Sequence, residues 1–322
     1  MNKLYVSSSP HIHTHETVSS IMLDVVIALI PACIAGTIIF GYRASTVLLT
    51  TIAFSILSEY AFEKITKRYV TVKDLSALVT GILLGLNLPV TIPLWMAALG
   101  SIFAVVIVKQ MFGGIGKNFM NPALAGRCFM LIAWTGAMTA FTNPFAGYGA
   151  DAVSSATPLA VMAGAEGAAP SLWSAFIGTT AGTIGETSAI ALIIGFIYLL
   201  VRRVITVKIP AAYILTFGLL TFLFGKNTTE DPQIIYTLLQ ILTGGLLLGA
   251  FFMATDYTTT PVTRGGQLIF GIGCGVLTFV IRQFGGYPEG VSFSIILMNV
   301  ASPLIERATT PRTFGYGKGG KA

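Results

Sequence analysis

Long apolar stretches with very few charged residues recur along the whole sequence. A helix needs about 20 apolar residues to cross the hydrocarbon core of a bilayer, and several of these stretches reach that length. Because 54% of the residues are hydrophobic and only 10% are charged, the chain has too little polar surface to cover a water-soluble globule. The alternation of polar and apolar residues that a transmembrane barrel needs is absent. The sequence therefore predicts an all-α membrane protein.

Hydropathy along the chain predicts about ten transmembrane helices, with a long polar interval between the fifth and the sixth. The predicted spans are 21–40, 45–63, 75–88, 93–112, 119–135, 186–204, 211–224, 236–254, 267–284 and 291–305. The chain is thus divided into an N-terminal segment (1–20), a first five-helix repeat (21–135), an external loop (136–185), a second five-helix repeat (186–305) and a C-terminal tail (306–322).

Lysine and arginine are concentrated in alternate loops and in the C-terminal tail, for example in 64–73 and 202–208. The interval 136–185 contains neither residue. Because positively charged loops stay on the cytoplasmic side, both termini are expected in the cytoplasm and the interval outside. The same distribution accounts for the net charge of +6, so no nucleic-acid partner is expected.

The two halves of the chain contain similar short segments in the same order, which predicts an internal repeat. The similar segments are 78–85 and 242–249, 89–91 and 261–263, and 109–114 and 282–286. Because an odd number of predicted helices separates equivalent positions, the two five-helix repeats must cross the membrane in opposite directions. Discontinuous helices are common in such inverted repeats, and we expect breaks after Gly85 and Gly249.

The external interval contains the segment Asp151-Ala-Val-Ser-Ser-Ala-Thr157-Pro. Small residues around Thr157 leave its hydroxyl accessible to an enzyme, and Pro158 is expected to keep a regular helix from running through the segment. Composition alone also fits an ordinary loop rich in serine and threonine. The residues by themselves leave both interpretations open.

The same segment resembles the D-x-x-[ST]-x-A-T acceptor at which a flavin transferase joins FMN to threonine. Further landmarks at 112–127, 185–189 and 254–263 resemble the family that contains the Rnf D subunit and the B subunit of sodium-translocating NADH:quinone oxidoreductase. The likeness covers nearly the whole chain. Because the first span begins near residue 21, the Rnf type is the better match.

This resemblance implies a covalent FMN, held as a phosphoester on Thr157 within an acceptor that includes Asp151, Ser154 and Ser155. It also implies a function in electron transfer between ferredoxin and NAD+, coupled to Na+ or H+ transport across the prokaryotic inner membrane. The expected partners are iron-sulfur membrane subunits, a second FMN subunit, the ferredoxin- and NAD-side subunits, and the flavin transferase. The chain is expected to be inactive alone.

A cluster of polar residues is predicted on the cytoplasmic side, in addition to the acceptor segment. Asn118, Asn121 and Arg127 offer hydrogen-bond donors in a glycine-rich stretch, and Asp256 interrupts an apolar run. Because a carboxylate at membrane depth is costly unless it is paired or hydrated, Asp256 is expected to line a functional site with Arg127 as its cationic neighbour. That site would take a second, non-covalent flavin or an ion. A tight turn that only packs helices is the alternative interpretation of the glycine-rich stretch.

A different class of protein also fits part of the pattern. A flavin-free solute channel or secondary transporter would explain the inverted repeats and the broken helices, but it would give no role to the acceptor segment. Glu186, at the start of the sixth span, is expected to act in helix capping. The isolated cysteines Cys33, Cys128 and Cys274 lack the paired spacing of metal or iron-sulfur ligands, so no metal site is predicted.

Overall fold

The computed structural model describes residues 16–145, 156–165, 170–227, 232–285 and 289–311. Within these ranges every regular element is a helix, and no strand is present. The predicted all-α fold is therefore confirmed over the described part of the chain.

The described part of the chain contains fourteen helices of the α or π type and one 3-10 turn at Val72–Asp74. The helices are α1 (Val18–Phe40), α2 (Tyr42–Ile65), α3 (Ser76–Leu86), α4 (Leu94–Gln110), α5 (Pro122–Ala133), α6 (Thr135–Met138), α7 (Pro158–Met162), α8 (Leu172–Ile177), α9 (Ala189–Val201), α10 (Lys208–Phe224), α11 (Gln233–Leu242), α12 (Leu246–Met253), α13 (Arg264–Phe284) and α14 (Val291–Thr309). The second half of α4 and most of α12 have π-helical geometry.

The apolar helices match the predicted spans. Four of them, α1, α2, α13 and α14, are long and apolar enough to cross a membrane, and α11 and α12 form a further span that is bent by 59°. Shorter apolar helices, namely α3, α4, α5, α9 and α10, overlap the remaining predicted spans. The chain is therefore a multi-pass membrane protein.

The break predicted in the first repeat occurs where expected. Helix α3 ends at Leu86, one residue beyond Gly85, and an irregular segment runs to Pro93 before α4 begins. Since α3 has 11 residues, it is about 16 Å long and covers only part of the hydrocarbon core.

The break predicted after Gly249 was wrong in position. The helix continues through Gly249 to Met253, and the interruption lies earlier, at Thr243, Gly244 and Gly245. Gly244 and Gly245 have φ angles of 73° and 71°, which residues with a side chain rarely adopt. Gly249 has a packing role instead, because an added Cβ would lie 2.4 Å from Cγ1 of Val291.

Glycines also allow neighbouring helices to approach closely. A Cβ at Gly195 of α9 would lie 2.1 Å from the carbonyl oxygen of Ala28 in α1. In α13, a Cβ at Gly275 would lie 2.9 Å from the carbonyl oxygen of Tyr213 in α10. Small residues at such crossings are the usual means of packing helices in a membrane, where lipid is as apolar as the side chains.

We predict that Gly195→Val forces α9 away from α1, because the added methyl groups would overlap the backbone of α1. Overpacking of this kind costs about 1–3 kcal/mol, and the thermal unfolding temperature of the purified protein should fall accordingly. Gly136→Val is the matched control, because nothing lies within 4 Å of an added Cβ there. Equal unfolding temperatures for the two variants would contradict the close approach of α1 and α9.

Candidate functional site

A cavity opens between the start of α1, helix α3, the start of α5 and the segment that follows α12. We call it the inner cavity; its empty space of about 760 Å³ includes the open solvent at its mouth. Its walls are mainly apolar, and its polar lining residues are Ser76, Thr80, Lys109, Asn118, Asn121, Thr255, Asp256, Tyr257 and Thr258. Ligand sites commonly combine apolar walls with a few polar groups in this way.

The two asparagines of the inner cavity have different roles. Asn121 caps α5, because its Oδ1 accepts hydrogen bonds from the backbone N–H groups of Ala123 (3.0 Å) and Leu124 (3.4 Å). Its Nδ2 donates to the carbonyl oxygen of Met253 at 3.4 Å and so links α5 to α12. The buried Oδ1 of Asn118 has no protein hydrogen-bond partner and is available to a ligand.

Asp256 lies in the inner cavity together with Asn118 and Asn121, as expected from the sequence. Its carboxylate accepts hydrogen bonds from the hydroxyls of Thr258 (3.0 Å) and Thr259 (3.2 Å). Burial raises the pKa of the Asp256 carboxyl above its usual range, and the threonine hydrogen bonds only partly oppose that rise. Asp256 is thus more easily protonated than an exposed aspartate.

The expected ion pair between Arg127 and Asp256 is not formed. Arg127 instead pairs with Glu289, and its Nη1 donates to Oγ of Ser292 at 2.7 Å. The reason is helical geometry: Arg127 lies about 9 Å further along α5 than Asn121 and about 240° around its axis, so it faces a different part of the bundle.

A buried ion pair at the edge of the inner cavity was missed by sequence reasoning. Nζ of Lys109 lies 2.6 Å from Oε1 of Glu59 and 2.5 Å from Oγ of Ser76. Nε2 of Gln110 donates to the same Glu59 oxygen at 2.6 Å. The available signal was the presence of two opposite charges, Glu59 and Lys109, inside predicted spans. Their pairing could not be read from sequence, because they lie on different helices.

Thr157 is the predicted FMN attachment residue, and the structure describes its surroundings; Asp151, Ser154 and Ser155 lie outside the described residues. Contrary to expectation, Thr157 is only 8% exposed. Pro158 is the first residue of α7, so this helix begins after the acceptor motif: Thr157 caps α7, and its Oγ1 accepts from the N–H of Ala160 at 3.2 Å. Proline is well tolerated at the first helical position, which explains why α7 begins there.

Thr157 lies in a small pocket that shares no lining residue with the inner cavity. This Thr157 pocket is lined by Thr157, Pro158, Leu159, Thr180, Ala181, Glu186, Thr187, Thr243, Gly244 and Glu289. The expected capping role of Glu186 is taken by Ser188, whose Oγ accepts from the N–H of Ala191 at 3.5 Å. Oε1 of Glu186 accepts from the N–H of Thr183 at 3.2 Å.

Arg282 stabilises the bend between α11 and α12 beside this pocket. Its guanidinium donates to the carbonyl oxygens of Gln240 (2.5 Å), Thr243 (3.3 Å) and Gly244 (3.0 Å). Its Nε donates to the carbonyl oxygen of Glu289 at 3.0 Å. The arginine therefore satisfies backbone groups that the broken helix leaves free.

The described residues contain no group of three or more His, Cys, Asp or Glu side chains arranged to hold a metal ion. The three cysteines are free and lie on different helices. The polar chemistry available to these two sites is therefore that of carboxylates, amides, hydroxyls and paired cations.

Comparison with known proteins gives a match over almost the whole chain. A family model described as the NQR2, RnfD, RnfE family matches residues 5–315. The D subunit of the Na(+)-translocating ferredoxin:NAD(+) oxidoreductase complex of Acetobacterium woodii is 47% identical over 319 residues, which cover 98% of this chain and 96% of the relative.

Two further relatives have similar coverage. The D subunit of the proton-translocating ferredoxin:NAD(+) oxidoreductase complex of Clostridium ljungdahlii is 44% identical, over 98% of this chain and 97% of the relative. The D subunit of an ion-translocating oxidoreductase complex of Escherichia coli is 35% identical, over 98% of this chain and 99% of the relative.

We predict that Arg127→Met destabilises the protein strongly, because Glu289 would lose its buried counter-charge. Removing one partner of such a pair costs about 3–5 kcal/mol in the free energy of unfolding, measurable by denaturant titration. Arg203→Met is the control: the side chain of Arg203 is exposed, so its loss should change stability little. An equally small effect of Arg127→Met would show that its pairing with Glu289 contributes little.

Proposed function

Because the chain belongs to the NQR2, RnfD, RnfE family, we propose that it is the D-type membrane subunit of an ion-translocating ferredoxin:NAD+ oxidoreductase complex. It carries FMN as a phosphoester on Thr157 and couples electron flow to transport of Na+ or H+. The observation that carries this proposal is the position of Thr157, the last residue of the acceptor motif, at a polar pocket beside a helix broken inside the bundle.

Thr157 and the inner cavity are proposed to lie on opposite membrane faces. Helix α1 begins beside the inner cavity, which Ile21 lines, and ends at the 136–185 interval, where the N–H of Phe145 donates to the carbonyl oxygen of Ile39 at 3.1 Å. With 23 residues α1 is about 35 Å long, similar to the thickness of the hydrocarbon core. With the loop charges, this favours cytoplasmic termini and an external Thr157.

The surroundings of Thr157 fit an ester at its hydroxyl oxygen. Oγ1 accepts a hydrogen bond from Ala160, and it can still accept that bond after its proton has been replaced by a phosphoryl group. Bound FMN would supply one- and two-electron redox chemistry. Because Thr157 is buried, the flavin transferase must act before 156–165 packs into the bundle, or on a state in which this segment is displaced.

The inner cavity is proposed as the second site, for a non-covalent flavin or for an ion. The free Oδ1 of Asn118 and the carboxylate of Asp256 face one ligand space, with the ammonium of Lys109 at its edge. These groups would orient the ligand and hold or release a proton.

The partners proposed for the chain are iron-sulfur membrane subunits, a second FMN subunit and the ferredoxin- and NAD-side subunits. The names of the relatives describe each of them as one subunit of a complex. Rows of exposed isoleucines on α1, such as Ile27, Ile30, Ile34 and Ile38, would contact either lipid or these neighbours.

We predict that Thr157→Ala abolishes covalent flavin, because no ester can form without the hydroxyl. Flavin fluorescence of the denatured chain and the mass of the intact chain measure this directly. Thr179→Ala, an exposed threonine of the same interval, is the control and should retain the flavin. Flavin that persists in Thr157→Ala would refute the attachment site. A colourless wild-type chain that moves solute alone would favour a transporter.

We predict that Asp256→Asn leaves Thr157 flavinylated and the complex assembled, but lowers ion-coupled electron transfer about tenfold or more, a loss of about 1.4 kcal/mol. The physical reason is the loss of an ionisable group in the inner cavity. Thr260→Val is the control, because its hydroxyl donates to the backbone carbonyl of Asp256 and not to the carboxylate. Normal coupled turnover of Asp256→Asn would make this residue purely structural.

A further inference from the structure

Three buried oxygen atoms within one short turn lack any hydrogen-bond partner. They are Oγ1 of Thr183, Oε2 of Glu186 and Oγ1 of Thr187, and the three residues are 1%, 6% and 3% exposed. A buried carboxylate oxygen without a partner lowers the stability of the folded state, because it has lost its hydrogen bonds to water and has formed none within the protein. The turn is therefore arranged for a group that supplies positive charge or hydrogen bonds.

The Glu186 carboxylate is held between two glycines. A Cβ added at Gly182 would lie 2.8 Å from Oε1, and one added at Gly245 would lie 3.0 Å from Oε2. Gly245 belongs to the break between α11 and α12, so the free oxygen of Glu186 faces the interrupted helix. In transporters, coupling ions commonly bind where helices are broken in this way.

The surrounding pocket offers oxygen atoms and no basic lining residue. Besides Glu186 and Thr187, its polar lining consists of the side chains of Thr157, Thr180, Thr243 and Glu289. The two nearest arginines act on the Glu186 carboxylate through space but make their contacts elsewhere: Arg127 pairs with Glu289, and Arg282 donates to backbone carbonyls of the bend. A set of carboxylate and hydroxyl oxygens suits a hard cation.

We propose that Glu186, with the hydroxyls of Thr183 and Thr187, binds a Na+-sized monovalent cation at the wall of the Thr157 pocket, which Glu186 and Thr187 line. The pocket is small and has room for an ion or a water molecule. The site deepens the proposed ion-coupling function and rests on it. Negative charge arriving at a flavin on Thr157 would raise the cation affinity of Glu186 by direct electrostatic attraction.

The test is the Na+ dependence of thermal unfolding of the purified complex in lipid nanodiscs. NaCl is varied against choline chloride at constant ionic strength, because a ligand that binds only the folded state stabilises it in proportion to its saturation. For Glu186→Gln we expect the half-saturating Na+ concentration to rise tenfold or more. Thr183→Val and Thr187→Val should raise it several-fold. Thr179→Val, an exposed position on the same loop, should match the wild type.

Each other outcome overturns the site. An unchanged Na+ response in Glu186→Gln removes the residue as a ligand. An equal loss of stability of Glu186→Gln in both salts would mean that Glu186 interacts with Arg127 through a bridging water, since Nε of Arg127 also lacks a partner. A shifted flavin spectrum without a Na+ effect would make these oxygens flavin contacts. If Glu186→Gln does not assemble, the two threonine variants decide.

The same samples separate this proposal from the proposed function. Covalent flavin is measured on the denatured chain of each variant. If flavin is absent from the wild type while the Na+ response depends on Glu186, the flavin assignment fails and the cation site stands. If flavin is present and the Na+ response does not depend on Glu186, only the cation site fails.

Discussion

A helix that is interrupted inside a bilayer leaves backbone groups that water cannot reach, and each of them must find a partner within the protein. Arg282 meets this requirement between α11 and α12 by donating to the carbonyl oxygens of Gln240, Thr243 and Gly244. With the bend held in this way, Thr243 and Gly244 form one wall of the Thr157 pocket. The geometry of the proposed flavin and cation sites therefore depends on one buried arginine on α13.

Helix α5 is the element that joins the two polar regions of the molecule. At its start, Asn121 bonds to the carbonyl oxygen of Met253 beside the inner cavity. About one and two-thirds turns later, Arg127 pairs with Glu289, which lines the Thr157 pocket. Both contacts connect the first half of the chain to the second. A shift of α5 relative to α12 and α14 would thus alter both regions together, which is a physical requirement for coupling between them.

Much of the fold was predictable because hydropathy reports directly on membrane burial. Each predicted span overlaps an apolar helix of the described chain, and the break after Gly85 lies within a residue of its predicted place. The break near Gly249 was misplaced because glycine serves two purposes that sequence cannot separate. Gly244 and Gly245 permit the positive φ angles of the bend, whereas Gly249 makes room for Val291.

The sequence by itself determined that the chain lies in a membrane, that its fold is all-α, and which residues are candidates for a functional site. Composition, charge asymmetry and motifs are properties of the chain that do not depend on packing. Tertiary structure decided which candidates meet. It placed Asn118 and Asn121 in the same cavity as Asp256. It also paired Arg127 with Glu289 and Lys109 with Glu59, and it buried Thr157 as a helix cap. Such pairings depend on the rotation of each helix about its axis and on where distant helices cross. These are set by packing across the whole bundle, and no local stretch of sequence contains them.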